Sequence, residues 1–254
     1  LTTDVLLDVA GPVATVTMNR PDLGNAVTPA QAGQLAGTFE RLAADPSVRV
    51  VVLTGSGSSF NVGAYRPANS VATAPAPMPT EAAELYRARL PVMSRVVQIM
   101  YSSHLVTIAA VNGACAGAGL ALALAADFRY AAESARFNTG FLSVGFPGEL
   151  GAIWHATRLV GPARARELFL LPEKLTARQV EAIGLVNGVH EGDELLPAVI
   201  AIASRLAGAP SKALAAMKAN LVSAESSSLP EHLSLELSAM LDCIATRTPQ
   251  GEVT

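Results

Sequence analysis

The 254-residue sequence is poor in several residue types. It has two cysteines, Cys115 and Cys243, far apart and each in an apolar segment. That excludes a disulfide scaffold and leads us to expect buried, reduced thiols in a cytoplasmic protein. Aromatics make up 5% of the chain and charged residues 15%. A formal net charge of −3 gives no electrostatic footprint for nucleic acid or an acidic membrane surface. No apolar run reaches membrane-spanning length, and no signal peptide is visible. The ends, Leu1 and Thr254, read as cut rather than natural termini. The four histidines, His104, His155, His190 and His232, show no metal-ligand spacing with one another or with the cysteines. No metal site is therefore expected.

Half of the residues are apolar, enough for a large core. Residues 4–9 and 13–18 read as strands around a Gly11-Pro12 turn. Thr28-Pro29 opens a helix that runs to about Ala44. Residues 48–54 form a β-branched run suited to a strand buried on both faces, followed by a glycine-rich loop through Gly63-Ala64. Residues 65–80, rich in Ala, Pro and Ser, read as a surface loop, and 81–100 as a helix kinked near Pro91.

Residues 105–111 form a second buried strand. It leads through Asn112-Gly113 and Gly117-Ala118-Gly119 into an Ala/Leu helix from Leu120 to Asp127. Such a turn leaves backbone N–H groups unpaired at a helix N-terminus, where the macrodipole also favours an anion. Short strands follow at 128–131 and near 136. Helices are expected to end near Gly161, to restart at Pro162, and to occupy 176–183, 194–207, 211–223 and 231–246. The expected class is α/β: residues 1–192 a mostly parallel, helix-covered core, and residues 193–254 a helical C-terminal region.

Taken together, these stretches resemble the crotonase superfamily, the enoyl-CoA hydratases and isomerases. The resemblance rests on Met18-Asn-Arg-Pro with Asn25-Ala26, on 48–60 with Gly63-Ala64, on Ala109-Ala-Val-Asn-Gly with Gly117-Ala-Gly-Leu, on Asp127-Phe-Arg-Tyr-Ala, and on Arg158-Leu-Val-Gly161. It implies a crotonase-like spiral of β-β-α repeats and a helical C-terminal region that makes homotrimers or dimers of trimers. It also implies an acyl-CoA thioester as substrate, with coenzyme A arriving as part of it and no permanently bound cofactor. Two backbone N–H groups would hold the thioester oxygen; by position they belong to Ala64 and Ala118. The CoA would run along residues 24–26, 60–66 and 112–118, with Asn25, Ala26, Gly63 and Gly117 beside it and Arg20 and Arg66 nearest its phosphates.

The acid–base positions depart from the hydratase pattern. Family hydratases use two glutamates, and the matching positions here are Ala121 and Phe141. Some relatives instead carry one carboxylate four residues after the glycine matching Gly145: glutamate in certain Δ3-Δ2-enoyl-CoA isomerases, aspartate in a dehalogenase and in dihydroxynaphthoyl-CoA synthase. This chain has Glu149 there. A surround of Phe141, Val144, Phe146, Leu150 and Trp154 is expected to raise its pKa, with His155 a minor neighbour. The resemblance thus implies a single-glutamate, isomerase-like enzyme; the alternatives are an atypical hydratase and a non-catalytic acyl-CoA-binding member. On residues alone, Glu149 could instead be a solvent-facing residue at a helix start, and the glycine turns mere packing devices. Ser102-Ser103-His104 with Asp127 raises a hydrolase triad, but no Gly-x-Ser-x-Gly elbow accompanies it. Asp127 reads as structural, and Gly117-Ala-Gly119 fails the dinucleotide fingerprint at Leu122.

Overall fold

The computed structural model describes residues 3–65 and 79–246. Two sheets share the strands between them. Strands β1 (Val5–Ala10) and β2 (Val13–Met18) form an antiparallel hairpin. Then β3 (Val50–Gly55), β5 (Val106–Val111), β7 (Phe128–Ala132) and β10 (Gly188–His190) add in parallel, giving the order β1-β2-β3-β5-β7-β10. The second sheet, in the order β4-β6-β8-β9, contains β4 (Ser59–Asn61), β6 (Ala114–Ala116), β8 (Arg136–Asn138) and β9 (Leu175–Thr176).

After the opening hairpin and its helix, three successive turns of the chain each place one strand in the first sheet, the next in the second, and then a helix. Helix α2 (Thr80–Ser102) follows β3 and β4, α3 (Ala118–Ala125) follows β5 and β6, α4 (Ala152–Leu170) follows β7 and β8, and the short α5 (Ala177–Ala182) follows β9. This is the β-β-α spiral that the resemblance implied. The corners are tight. A Cβ on Gly55 would lie 2.2 Å from the carbonyl oxygen of Ser59, and one on Gly113 1.9 Å from that of Ser58. Only glycine lets the chain cross between the sheets there.

Helix α1 (Pro29–Ala44) begins where the Thr28 side chain caps the N–H of Gln31 at 3.1 Å. It lies beside α2, and both pack on the main core cluster. The other face of the six-stranded sheet is covered by α6 (Leu195–Ala207), whose Leu195, Val199, Ala203 and Ala207 meet Val50, Val52, Val106 and Ile108. That double cover is why β3 reads as an unbroken apolar run. Helix α6, at the start of the expected C-terminal region, is thus part of the sheet's packing. Beyond it, α7 (Ser211–Ala224) buries Lys218 alone, and α8 (Leu229–Ala245) buries no residue.

Differences from the sequence reading are local. The Ala/Leu helix starts at Ala118 and ends at Ala125, two residues earlier at each end than expected, and the short strand β6 separates it from Gly113. Helix α4 continues across Gly161, but that residue has φ 76° and ψ 165°, so a break stands where Gly161-Pro162 put one. The loop expected at 65–80 falls mostly outside the described residues. Cys115 is buried and its thiol pushed up by desolvation, as expected of an inert core thiol, whereas Cys243 on α8 is only half-buried.

Asp127 is structural. Its Oδ2 accepts from the Thr107 N–H (2.7 Å), the Thr107 hydroxyl (2.9 Å) and the Lys218 ammonium (2.8 Å). Lys218 also donates to the carbonyls of Met100 (2.6 Å) and Leu105 (2.5 Å), tying α7 to the start of β5. Burial lowers the Lys218 pKa, with Asp127 pulling against it. His104 contacts the carbonyl of Val48 at 3.2 Å rather than Asp127, so no Ser-His-Asp triad forms. His155 is buried against Trp154 and Tyr101, with ring centroids 4.8 and 5.7 Å away. Burial, helped by Arg129 and Arg158, lowers its pKa to about 4.

Two outcomes follow. Lys218→Met should lower unfolding stability by about 1–3 kcal/mol in urea titrations, because it leaves the buried carbonyls of Met100 and Leu105 without this donor and removes the cation beside the part-buried Asp127. His155 is neutral in the folded chain but would protonate near its ordinary pKa of about 6.5 when unfolded. The stability it contributes is complete above that pH and is lost as pH falls toward 4, up to about 3 kcal/mol. His155→Phe should flatten that part of the stability–pH curve relative to the parent, measured by urea denaturation from pH 7 to 4.5.

Candidate active site

Two glycine turns, one after β4 and one after β6, meet at the edge of the second sheet. Asn61 shapes the first: its side-chain oxygen accepts from the N–H of Gly63 at 2.8 Å, and its amide donates to the carbonyl of Asn25 at 2.6 Å. In the second turn, Gly117 has φ 52° and ψ −120°, a conformation for glycine alone, and its N–H donates to the carbonyl of Asn138 at 3.2 Å. The turns are pressed together. A Cβ on Gly63 would be 3.2 Å from the Ala116 carbonyl oxygen and 3.5 Å from the Ala118 nitrogen, and one on Gly119 only 2.1 Å from the Asn61 carbonyl oxygen.

This packing leaves two backbone donors free. Ala64 pairs with Val27 in a parallel bridge. Gly63 supplies the carbonyl that accepts from Val27 (2.8 Å), and Tyr65 supplies the N–H that donates back (3.1 Å). The Ala64 N–H therefore faces the opposite way. The Ala118 N–H is the first of α3, with no residue four behind it inside the helix. Among the described residues, neither N–H has an acceptor.

Both alanines line a cavity of about 430 Å³, together with Ala26, Gly63, Gly117 and Glu149. Apolar and aromatic walls complete it: Leu23, Val62, Tyr65, Tyr86, Phe141, Val144 and Phe146. Glu149 is the sole carboxylate among the described lining residues. Its side chain is only 13% exposed, so it is not a solvent-facing residue at a helix start. Ala121 is buried in the core, and Phe141 fills the wall at the other position where a hydratase would carry an acid.

The surround of Glu149 differs from the sequence expectation. Phe141, Val144 and Phe146 stand where expected, while Leu150 is buried in the core. Trp154 is elsewhere: its ring lies under the Arg158 guanidinium at 3.6 Å and edge-on to Tyr101 at 5.1 Å. His155 accompanies it and does not reach this cavity. Glu149 sits in a loop three residues before α4, so helical spacing never applied between it and Trp154. Instead, Arg89 of α2 donates to Glu149 Oε2 at 2.6 Å. The sequence reading missed Arg89, although a signal existed. The residue falls in line with Ala82, Met93, Val96 and Met100 on the buried face of α2.

The remaining candidates divide. The Asn25 side chain turns into its own loop, donating to the carbonyls of Ser56 (2.9 Å) and Ser59 (2.7 Å) and accepting from the Arg20 N–H (2.8 Å). Arg20 is ion-paired with Asp4 and Asp22, both at 3.5 Å, and does not line the cavity. Arg66 lies outside the described residues. Two unpartnered N–H groups beside one carboxylate, in a largely apolar cavity, can stabilise an oxyanion and exchange a proton next to it. No cluster able to hold a metal ion exists among the described residues, and none of their helices is long and apolar enough to cross a membrane.

The comparisons with known proteins agree with this geometry. The family model for enoyl-CoA hydratase/isomerase matches residues 8–252. A "Probable enoyl-CoA hydratase" of Mycobacterium tuberculosis is 38% identical over 217 residues, 85% of this chain and 80% of that protein. The 1,2-epoxyphenylacetyl-CoA isomerase of Escherichia coli is 34% identical over 233 residues, 91% and 87% of the two chains. A Thermobifida fusca protein of the enoyl-CoA hydratase type, solved in complex with acetoacetyl-CoA, superposes with a TM-score of 0.84 at 29% identity, covering 96% of this chain and 95% of its own. The chain belongs to the enoyl-CoA hydratase/isomerase family and is an enzyme of hydratase/isomerase type.

Proposed function

We propose that the protein isomerises 3-enoyl-CoA thioesters to 2-enoyl-CoA, with Glu149 as the single proton carrier and the N–H groups of Ala64 and Ala118 as the oxyanion hole. One observation carries this reading: among the described residues lining the cavity beside Ala64 and Ala118, Glu149 is the sole acid, while Ala121 and Phe141 occupy the places of the two hydratase acids. The acetoacetyl-CoA bound by the Thermobifida fusca relative and the CoA-thioester isomerase of Escherichia coli support a thioester substrate. Coenzyme A enters as part of that substrate, and the reading calls for no resident cofactor.

The chemistry is a proton relay. With the thioester oxygen on the two N–H groups, negative charge developing there is met by dipoles already in place. Glu149 takes the α-proton; the electron pair of the broken C–H bond enters the conjugated enolate. The same carboxyl returns the proton to the γ-carbon, and the double bond moves into conjugation with the thioester. One group suffices for both transfers, and apolar walls that keep water out favour return of the proton over exchange. Hydration would need one group to activate water and another to protonate the neighbouring carbon, and this cavity offers a single carboxylate.

For assembly, we read a homotrimer or a dimer of trimers. Helix α8 supports it: Leu229, Leu233, Leu237, Met240, Leu241 and Ile244 are all exposed in the single chain.

With 3-hexenoyl-CoA as substrate, Glu149→Gln should lower kcat by about 10²–10⁴-fold. Isomerisation that survives the substitution would remove Glu149 from the reaction, and hydration of 2-hexenoyl-CoA faster than isomerisation would overturn the isomerase reading. Gly119→Ala should push the two turns apart and lower kcat by about 10²–10³-fold, the scale of losing one oxyanion donor. Steady-state kinetics, with circular dichroism to verify folding, would measure this; an unchanged kcat would place the oxyanion elsewhere.

A further inference from the structure

We infer that Arg89 is a positioning residue for this reaction: it fixes Oε2 of Glu149 and leaves Oε1 as the one oxygen that exchanges a proton with the substrate. The inference rests on the isomerase reading above and adds a residue from a different turn of the spiral.

The geometry divides the two carboxylate oxygens. Arg89 Nη2 donates to Oε2 at 2.6 Å. Oε1 has no hydrogen bond to the described residues, while Glu149 lines the cavity. The guanidinium is itself held in place. It is 2% exposed and stands 5.0 Å from the ring centre of Tyr86, one helical turn earlier on α2. The Tyr86 ring in turn lies 5.1 Å from Phe146, three residues before Glu149. Tyr86 on Phe146 and Arg89 on Glu149 thus join α2 to the loop before α4 at two points.

That loop needs an outside support. Gly145, Gly148, Leu150 and Gly151 all have positive φ, at 78°, 112°, 53° and 71°. Leu150, next to Glu149, is one of two non-glycine residues in that region among the described ones. No run of helix or strand fixes the base, so a buried side chain from a rigid helix does so.

The contact suits a proton carrier in both of its states. When Oε1 accepts the α-proton, Oε2 becomes the carbonyl oxygen of the acid and still accepts from Nη2. The carboxyl need not turn between taking the proton and returning it. Arg89 Nη1 is buried with no hydrogen-bond partner among the described residues, so the contact to Oε2 is the guanidinium's polar tie to the loop of Glu149. The rival reading is that the ion pair only fastens the loop to α2. In that case its loss lowers stability or substrate binding but leaves turnover by the folded enzyme unchanged.

The test compares Arg89→Lys, Arg89→Met and Glu149→Gln with the parent. Each is assayed with 3-hexenoyl-CoA, active sites are counted by binding of saturated hexanoyl-CoA, and folding is followed by thermal denaturation. Misplacing a reacting group by about 1 Å costs about 10²-fold, so Arg89→Met should lose about that much in kcat. Lysine keeps the charge without the planar fork, so Arg89→Lys should recover part of the loss and remain about tenfold below the parent. KM should stay within about threefold in both variants.

A folded variant of either kind with the parent kcat overturns the assignment, as does a loss residing in KM. If Arg89→Met does not fold, Arg89→Lys alone decides by the same criterion. A parent enzyme that fails to isomerise 3-hexenoyl-CoA removes the underlying reading and this one with it. A parent that isomerises, a dead Glu149→Gln and an Arg89→Lys at full kcat remove this one alone.

Discussion

The two free backbone donors of the site depend on how closely two pieces of backbone approach one another. The turn after β4 and the turn after β6 touch where Gly63 faces Gly117-Ala118 and Gly119 faces the carbonyl of Asn61. At Gly119 a single methyl group is too large, and Gly63 and Gly117 hold positive φ values that a side chain would strain. Glycine carries a conformational entropy cost here that alanine would avoid, roughly 0.5–1 kcal/mol relative to alanine within regular structure. In exchange the two alanine N–H groups face one cavity without a side chain between them. The donors are part of the main chain, so they cannot rotate away, and their geometry is set when the sheets form. The same logic of close approach operates at Gly55 and Gly113, where the chain crosses from one sheet to the other. The spiral and the site are built from one device.

The carboxylate is placed by the opposite strategy. Glu149 sits in an irregular loop, and the order it needs comes from across the fold, through Arg89 on α2. Burying an ion pair seldom adds net stability, because desolvating two charges offsets most of their attraction; removing one partner is what costs. A buried pair at this position is therefore better explained by what it does for geometry than by what it does for stability. The contrast with Lys218 and Asp127 is instructive. There the cation also satisfies two carbonyls and joins elements away from the cavity, a structural task completed within the protein.

Much of this was legible beforehand, for identifiable reasons. The β-branched run 48–54, the Thr28-Pro29 helix start and the glycine turns are local signals, and local signals survive folding. Glu149 was singled out through the family resemblance and its fixed offset from Gly145. What escaped was set by three-dimensional neighbours. Arg89 lies sixty residues from Glu149 in sequence, and only the packing of α2 against the loop joins them. Trp154 and His155 were placed near Glu149 because they are close in sequence, yet a left-handed loop separates them from it. Asn61 was invisible as a shaper of Gly63 because its role depends on a turn whose conformation is not encoded in periodicity. The short strands β4, β6, β9 and β10 were missed because two or three residues are too few to show alternation.

The division between the two oxygens of Glu149 carries a stereochemical consequence. If Oε2 stays bound to Arg89 throughout, the enzyme has one seat for the travelling proton, on one side of the cavity. The hydrogen leaving the α-carbon and the hydrogen arriving at the γ-carbon must then pass through the same point in space. Held by its oxygen on Ala64 and Ala118, as proposed, the enolate between them could not turn over. Removal and return would take place on a single face of the planar intermediate, and the product would carry one handedness of labelled hydrogen at its γ-carbon.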